Sequence, residues 1–287
     1  MKNITDYLFE TNALRVSDPE KPFWYASGTL GPFYVNTHFL IESEEKANQL
    51  LALIEDAAAS DRTEFLMKIL PFVKEQYETS DSYKMVIDMI VEKAKELDFD
   101  IISGGERRDF FFSLMPAYLL GKPHLSIFKD GETYFSENVS EKAVKVSDND
   151  LAGKKSLHIA DLITEASSYT NAWIPSIRGV GAQIRDTIAV IDRLQGGEAN
   201  LAKEGVNMYT FTKIEPTLFD EAEKKGILTT AQKQMVADFI ASPIDYMKAF
   251  LVAHPAFIDE QIALGGKPKQ RAEMAISRGY VPGRSEV

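Results

Sequence analysis

The stretch SLHIADLITEASSYTNA, residues 156–172, begins with apolar residues suited to a buried strand, breaks into a polar loop and ends in helix-forming residues. The loop carries Asp161, Thr164, Glu165, Ser167 and Ser168. A carboxylate ending a strand can hold ribose hydroxyls or a magnesium ion, and hydroxyls with backbone N–H groups at a helix N-terminus can hold a phosphate. Asp161 is therefore a candidate ribose or metal ligand, and Thr164, Ser167 and Ser168 are candidate phosphate ligands. The same residues also suit an ordinary strand-to-helix connection capped by Ser167 or Ser168, and residue type alone leaves both readings open. The loop has no glycine, unlike most phosphate cradles, and Glu165 puts a negative charge inside it.

A second candidate is ERRD, residues 106–109, directly after a short apolar run ending in Gly104 and Gly105. Arg107 and Arg108 can neutralise a diphosphate, since a guanidinium suits two-point contact with phosphate. The plainer alternative pairs them with Glu106 and Asp109. The histidines at 38, 124, 158 and 254 are scattered without metal-ligand spacing. His158 reads as a structural strand residue, and Phe110, Phe111 and Phe112 as helix core.

The elements that would position these residues follow from hydrophobic period and turn residues. An N-terminal helix capped by Thr5 or Asp6 precedes FWYASGTLGPFYVN (23–36), which reads as two short aromatic strands. Glu44–Ala59, Asp61–Tyr77 and Ser82–Leu97 carry apolar residues at helical spacing. From Asp98 the pattern alternates. FDIISGG, HLSIF, SLHIAD and DTIAVID read as buried strands, separated by a helix from 106 to 122, a long polar loop or hairpin at 129–155 and a helix near 168–178 weakened by Pro175. Such alternation predicts βαβ units and a parallel sheet, with ligands at the carboxyl ends of the strands. From Thr217 the chain reads as helical over 217–226, 229–241, 243–253 and 255–264, with a partly flexible tail. Three segments result, 1–97, 98–215 and 216–287, expected to form one compact unit.

The chain has 287 residues, 45% of them hydrophobic, a net charge of −11 and no cysteine. That balance supports a folded core and argues against general binding to nucleic acid or anionic membrane. It excludes disulfides, thiol catalysis and cysteine-bound zinc. The opening MKNITDYLFE lacks a signal-peptide pattern, and the longest apolar run, FFFSLMPAYLL, falls short of the ~20 residues that span a bilayer. The expectation is a cytoplasmic protein acting on a small molecule, without nucleic-acid or membrane partners.

Four pieces in order resemble the type I phosphoribosyltransferases, specifically the orotate phosphoribosyltransferases. They are FWYASGTLGPFYVN, DIISGGERRDFFFSLMPAYLLGKP, LAGKKSLHIADLITEASS and AVIDRLQGG, and the resemblance covers roughly residues 1–240. It implies an α/β fold with a central, mainly parallel sheet flanked by helices, an N-terminal hood and an extra helical C-terminal segment. It implies transfer of a phosphoribosyl group from phosphoribosyl pyrophosphate, with Mg2+, to orotate in pyrimidine nucleotide biosynthesis. It assigns catalytic roles to Asp161 and Lys129, with Asp161 also at the metal. Thr164, Ala166, Ser167, Ser168, Arg107 and Arg108 would bind the donor, and Tyr34, Val35 and Asn36 the base. Active members are dimers in which a mobile loop of one subunit covers the other's site, so a homodimer is expected.

The chain also departs from the family pattern. Ala160 stands where the signature has its first acid, and Thr164-Glu165-Ala166 where it has a Thr-Thr-Gly-like turn. Arg108 and Asp109 fall where the diphosphate loop carries glycine, and Ala26 where a lysine is common. Glu132 and Tyr134 replace flap residues expected to be basic, with Lys142 and Lys145 as possible substitutes. The alternative implied is a catalytically degenerate protein of this fold that binds a nucleotide or phosphoribosyl ligand in a regulatory role. A third is an interaction protein using the extra helices at about 60–97 and 217–264.

Overall fold

A computed structural model describes residues 2–284. The chain groups into two compact units, Met1–Ala13 with Asn36–Ile214, and Leu14–Val35 with Glu215–Val287. This differs from the three consecutive segments and single unit read from the sequence, because residues 14–35 build their core with the C-terminal helices.

The first unit holds a seven-stranded sheet: β1 (Ile101–Gly105), β2 (His124–Ile127), β3 (Thr133–Ser136), β4 (Val144–Val146), β5 (Lys155–Ile163), β6 (Gln183–Asp192) and β7 (Asn207–Lys213). Their order is β7-β6-β5-β1-β2-β3-β4. The first five in that order run parallel, and β3 and β4 turn back antiparallel. The 129–155 loop is thus largely a hairpin added to the sheet edge. β7 went unread from sequence because NMYTFTK is a half-buried edge strand without a continuous apolar run.

Helices in this unit are α1 (Ile4–Glu10), α2 (Glu44–Ala59), α3 (Phe65–Thr79), α4 (Asp81–Ala94), α5 (Phe110–Leu120), α6 (Ile174–Gly179) and α7 (Gly197–Lys203). The cap of α1 is Asn3, not Thr5 or Asp6. Its side chain accepts the Asp6 N–H, and the Asp6 carboxylate accepts the Asn3 N–H. α5 is buried on nearly every side, with Phe110, Phe111 and Phe112 fully enclosed. One π-helical turn, Tyr169–Trp173, runs directly into α6. Pro175 is the second residue of α6, near the start where a missing N–H costs least.

In the second unit, Leu14–Val16 pairs with Phe33–Val35 and Phe23–Trp24 with Leu30–Gly31, both antiparallel. Helices Pro216–Lys224, Thr230–Ala241, Pro243–Ala253, Phe257–Leu264 and Gly266–Ser277 follow. The tail read as partly flexible forms the last of these. Its Ala272 and Ala275 are buried with Trp24, Leu30, Met247 and Ile258. The tail's final residues, 285–287, lie outside those described.

Two glycines in β1 decide how closely its neighbours approach. A Cβ on Gly104 would overlap Ser113 of α5, and one on Gly105 would overlap the Trp173 indole. Overpacking of that kind costs about 1–3 kcal/mol. Gly105→Ala should therefore lower unfolding stability by about that amount in urea titrations. Gly179→Ala should change it by less than about 0.5 kcal/mol, since a Cβ at Gly179 meets open space.

Candidate active site

The sheet order reverses between β1 and β5: the chain leaves β1 toward β2 on one side and returns to β5 on the other. A crevice at the carboxyl ends of two such strands is where open α/β sheets bind ligands. The β1–β5 ladder stops at the pair Ser103 and His158. Beyond it Gly104 and Gly105 stay with β2, while Ala160 and its successors stay with β6. A cleft of about 280 Å³ opens there, walled by Glu106–Asp109, Lys129, the end of β5, Thr164, Ala166–Ser168, Tyr169 and Trp173.

The cleft gathers Asp161, Lys129, Arg107, Arg108, Thr164, Ala166, Ser167 and Ser168, all singled out from the sequence. Three local features shape the wall formed by the 164–168 loop. Ala166 takes φ +61°, the left-handed backbone that a glycine would supply. Gly197 leaves room for the loop, since its Cβ would crowd the Thr164 carbonyl at 2.6 Å. Asn200 then donates from Nδ2 to the Glu165 carbonyl at 2.9 Å. Glu165 is exposed and is not part of the cleft wall, so the charge that threatened the cradle points elsewhere.

On the opposite wall the arginines differ. Arg107 is ion-paired with Glu55 of α2. Arg108 is half-buried and forms no ion pair among the described residues. Lys129 donates its backbone N–H to Glu106 at 3.0 Å, while its ammonium sits 3.9 Å from the same carboxylate and is largely exposed. The Glu106–Arg107 peptide is cis. His38 is buried, and desolvation followed by the charges of Arg108 and Arg107 pushes its pKa down to about 3, leaving a neutral imidazole.

Asp161 is 8% exposed. Burial raises its pKa to about 7, the charge of Asp109 adds to the rise, and Arg108 opposes it. Asp109, an arginine partner in the plainer of the two sequence readings, instead accepts N–H groups from Gly105 and Asp161, each at 3.2 Å. Its place directly before an apolar helix looks in sequence like a helix cap; it makes no cap hydrogen bond. His158, behind it, is wholly buried, with Nδ1 2.9 Å from Ser103 Oγ and Nε2 3.4 Å from Asp109 Oδ2.

Among the described residues no group of three or more acidic, histidine or cysteine side chains is arranged to hold a metal. Magnesium commonly binds through one or two carboxylates plus substrate phosphates. Asp161 is the cleft carboxylate that would serve that mode, were the ion to arrive on a phosphorylated ligand.

The hairpin lysines are committed away from the cleft. Lys142 pairs with Glu64 at 2.7 Å and Lys145 with Glu132. Glu132 also accepts from Arg62 at 2.8 Å, and neither Glu132 nor Tyr134 lines the cleft. Asn36 does not line it either, its N–H bonding the Ala13 carbonyl at 2.7 Å. Tyr34 and Val35 belong to the second unit. There the Tyr34 ring packs on Phe23 and Tyr25, and its hydroxyl donates to the Trp24 carbonyl.

No protein-family model matches the chain. It is 23% identical over 181 residues to the orotate phosphoribosyltransferase of Sulfurisphaera tokodaii, which is 62% of this chain and 88% of the relative. It is 28% identical over 142 residues to an adenine phosphoribosyltransferase of Escherichia coli, 46% of this chain and 77% of the relative. The chain is a distant relative of the phosphoribosyltransferases. Both an orotate and an adenine enzyme stand at this distance, so the likeness does not select the base. Two solved structures share the fold. One is UMP synthase from Leishmania donovani, at 16% identity and TM-score 0.56, covering 83% of this chain and 41% of that one. The other is orotate phosphoribosyltransferase from Francisella tularensis, at 14% identity and TM-score 0.50, covering 82% and 95%.

The raised Asp161 pKa has a signed consequence for stability. Between the ordinary value of 3.8 and about 7 the folded state keeps a proton that the unfolded state has lost. The contribution of this group to stability therefore falls as pH rises through that window and is lowest above it. Asp161→Asn should be more stable than the parent at pH 8, by on the order of 1–3 kcal/mol, with the gap closing toward pH 4. Urea titrations at both pH values check this.

Proposed function

We propose that the switch-point cleft binds phosphoribosyl pyrophosphate and transfers its phosphoribosyl group to a ring nitrogen of a planar base, with orotate as the acceptor. The observation that carries this reading is the convergence on one cleft of the Ala166 loop, with Glu165 exposed outside the wall, the buried Asp161 and Arg108, which forms no ion pair among the described residues. The loop from Thr164 to Ser168 takes the 5′-phosphate through hydroxyls and N–H groups at a helix start. Asp161 takes the ribose hydroxyls. Arg108, Arg107 and Lys129 take the diphosphate.

In the transfer the bond from the anomeric carbon to pyrophosphate breaks as a bond to the base nitrogen forms, and the proton that nitrogen carried leaves to the pyrophosphate or to water. Positive charge develops on the ribose and negative charge on the leaving group. Asp161 stabilises the first, and the cationic wall the second. Magnesium, when bound with the donor, supplies further neutralisation of the diphosphate. Holding donor and base in line lowers the barrier further by removing their orientational freedom.

A second reading, donor or nucleotide binding without turnover in a regulatory role, is favoured by the engagement of Lys142 and Lys145 with Glu64 and Glu132. That leaves Lys129 as the lysine at the cleft. The cytoplasmic placement and the homodimer expected from sequence remain part of this proposal.

The two readings separate on mixing the protein with magnesium, the donor and either orotate or adenine. Pyrophosphate release with a base supports transfer, and donor binding without release supports the regulatory reading. No binding of donor or nucleotide would falsify both. Loss of one charge-assisted contact costs about 1.5–3 kcal/mol. Arg108→Gln should thus weaken donor binding roughly 10- to 100-fold by calorimetry. Arg107→Gln should weaken it less, because Arg107 is already shared with Glu55.

A further inference from the structure

Where β1 and β5 part beyond Ser103 and His158, each strand has a backbone N–H facing the gap. On β1, the N–H groups of Ile102 and Glu106 face β2, bonding Pro123 and Ile127. By alternation that of Gly105 faces β5. On β5 the Asp161 N–H faces back toward β1. Neither has a ladder partner, and both donate to one side chain: Asp109 Oδ2 accepts from Gly105 and Oδ1 from Asp161, each at 3.2 Å. Asp109 is 7% exposed and lies in the cleft wall.

We propose that Asp109 is a positioning residue for the donor, stapling the ends of β1 and β5 across the crevice so that the arginine loop and Asp161 stand at a fixed separation. The proposal rests on the donor reading above and deepens it. A donor with a diphosphate at one end and a 5′-phosphate at the other must engage both edges at once. Its affinity then exceeds that of either half because the second edge is already in place. A staple that fixes the spacing serves a ligand spanning the crevice and does little for one touching a single edge.

The charge of Asp109 separates this role from a direct electrostatic one. Removing a carboxylate from a cleft that binds anions should tighten anion binding on Coulombic grounds alone. Loss of the staple predicts the opposite sign, and only for the spanning ligand.

The test uses the full chain and three ligands: phosphoribosyl pyrophosphate with magnesium, inorganic pyrophosphate with magnesium, and ribose 5-phosphate. Asp109→Asn keeps the side-chain volume and one acceptor oxygen, while Asp109→Ala removes both acceptors. By calorimetry, Asp109→Asn should weaken donor binding roughly tenfold or more, with the two half-ligands changing about twofold or less, and Asp109→Ala should weaken it further. Equal weakening of all three ligands, or tighter binding of the donor, overturns the proposal. Amide exchange provides a second measurement should the alanine variant not fold. In Asp109→Asn the N–H of Gly105 or Asp161 should exchange faster than in the parent, and unchanged exchange at both overturns the staple whatever the ligands do. If the parent protein binds none of the three ligands, the donor reading fails and the positioning role fails with it.

Discussion

Parallel strands that share a ladder as far as Ser103 and His158 and then turn to different partners leave a wedge between them. A wedge floored by unpaired backbone groups is unstable unless something satisfies them, because an unpaired buried N–H costs about 1–3 kcal/mol. Here a column of polar side chains fills it. Ser156 donates to Ser103, Ser103 meets His158, His158 faces Asp109, and Asp109 takes the two open N–H groups. The arginine loop, the end of β5 and the 164–168 loop all emerge from the rim of this column.

That arrangement explains why Asp161 is held in an uncomfortable state. It is buried beside a second carboxylate that is itself committed to backbone bonds, and the cation opposing its rise is Arg108. A site that binds an anionic ligand with a divalent cation would relieve this tension on binding. The price is stability in the empty protein, a common exchange at functional sites. Glycines at 104 and 105 let Ser113 and Trp173 press against β1.

The parts of this design that were legible in sequence are those set by local pattern. The β1, β2, β5 and β6 strands show as short apolar runs, and the cleft residues Arg107, Arg108, Asp161, Thr164, Ser167 and Ser168 as polar residues directly after such runs. Long-range geometry was not legible. Nothing in the one-dimensional order shows that Asp109 reaches across to a strand 52 residues later. Nor does it show that Ala166 accepts a left-handed backbone where glycine is usual, or that Asn200 and Gly197 make the space for it. The division into units was hidden for a similar reason: residues 14–35 find their core among helices more than two hundred positions away, as in the Trp24–Gln261 hydrogen bond.

The hairpin of β3 and β4 shows how an acidic residue that looks disabling in sequence can be engaged away from the cleft. Glu132 would repel a leaving diphosphate if it faced the cleft. It is instead bonded to Arg62, which also pairs with Asp130 at 2.7 Å and lies 4.3 Å over the Phe128 ring. The Thr63 carbonyl accepts the Ala143 N–H at 2.7 Å, and Glu64 holds Lys142. These contacts tie both ends of the hairpin to the turn between α2 and α3. Its acidic and basic groups pair with one another or with the α2–α3 turn, and Glu132, Lys142 and Lys145 are not among the residues lining the cleft. The cations left lining the cleft are then Arg107, Arg108 and Lys129, on a wall that continues from β1 rather than from the hairpin.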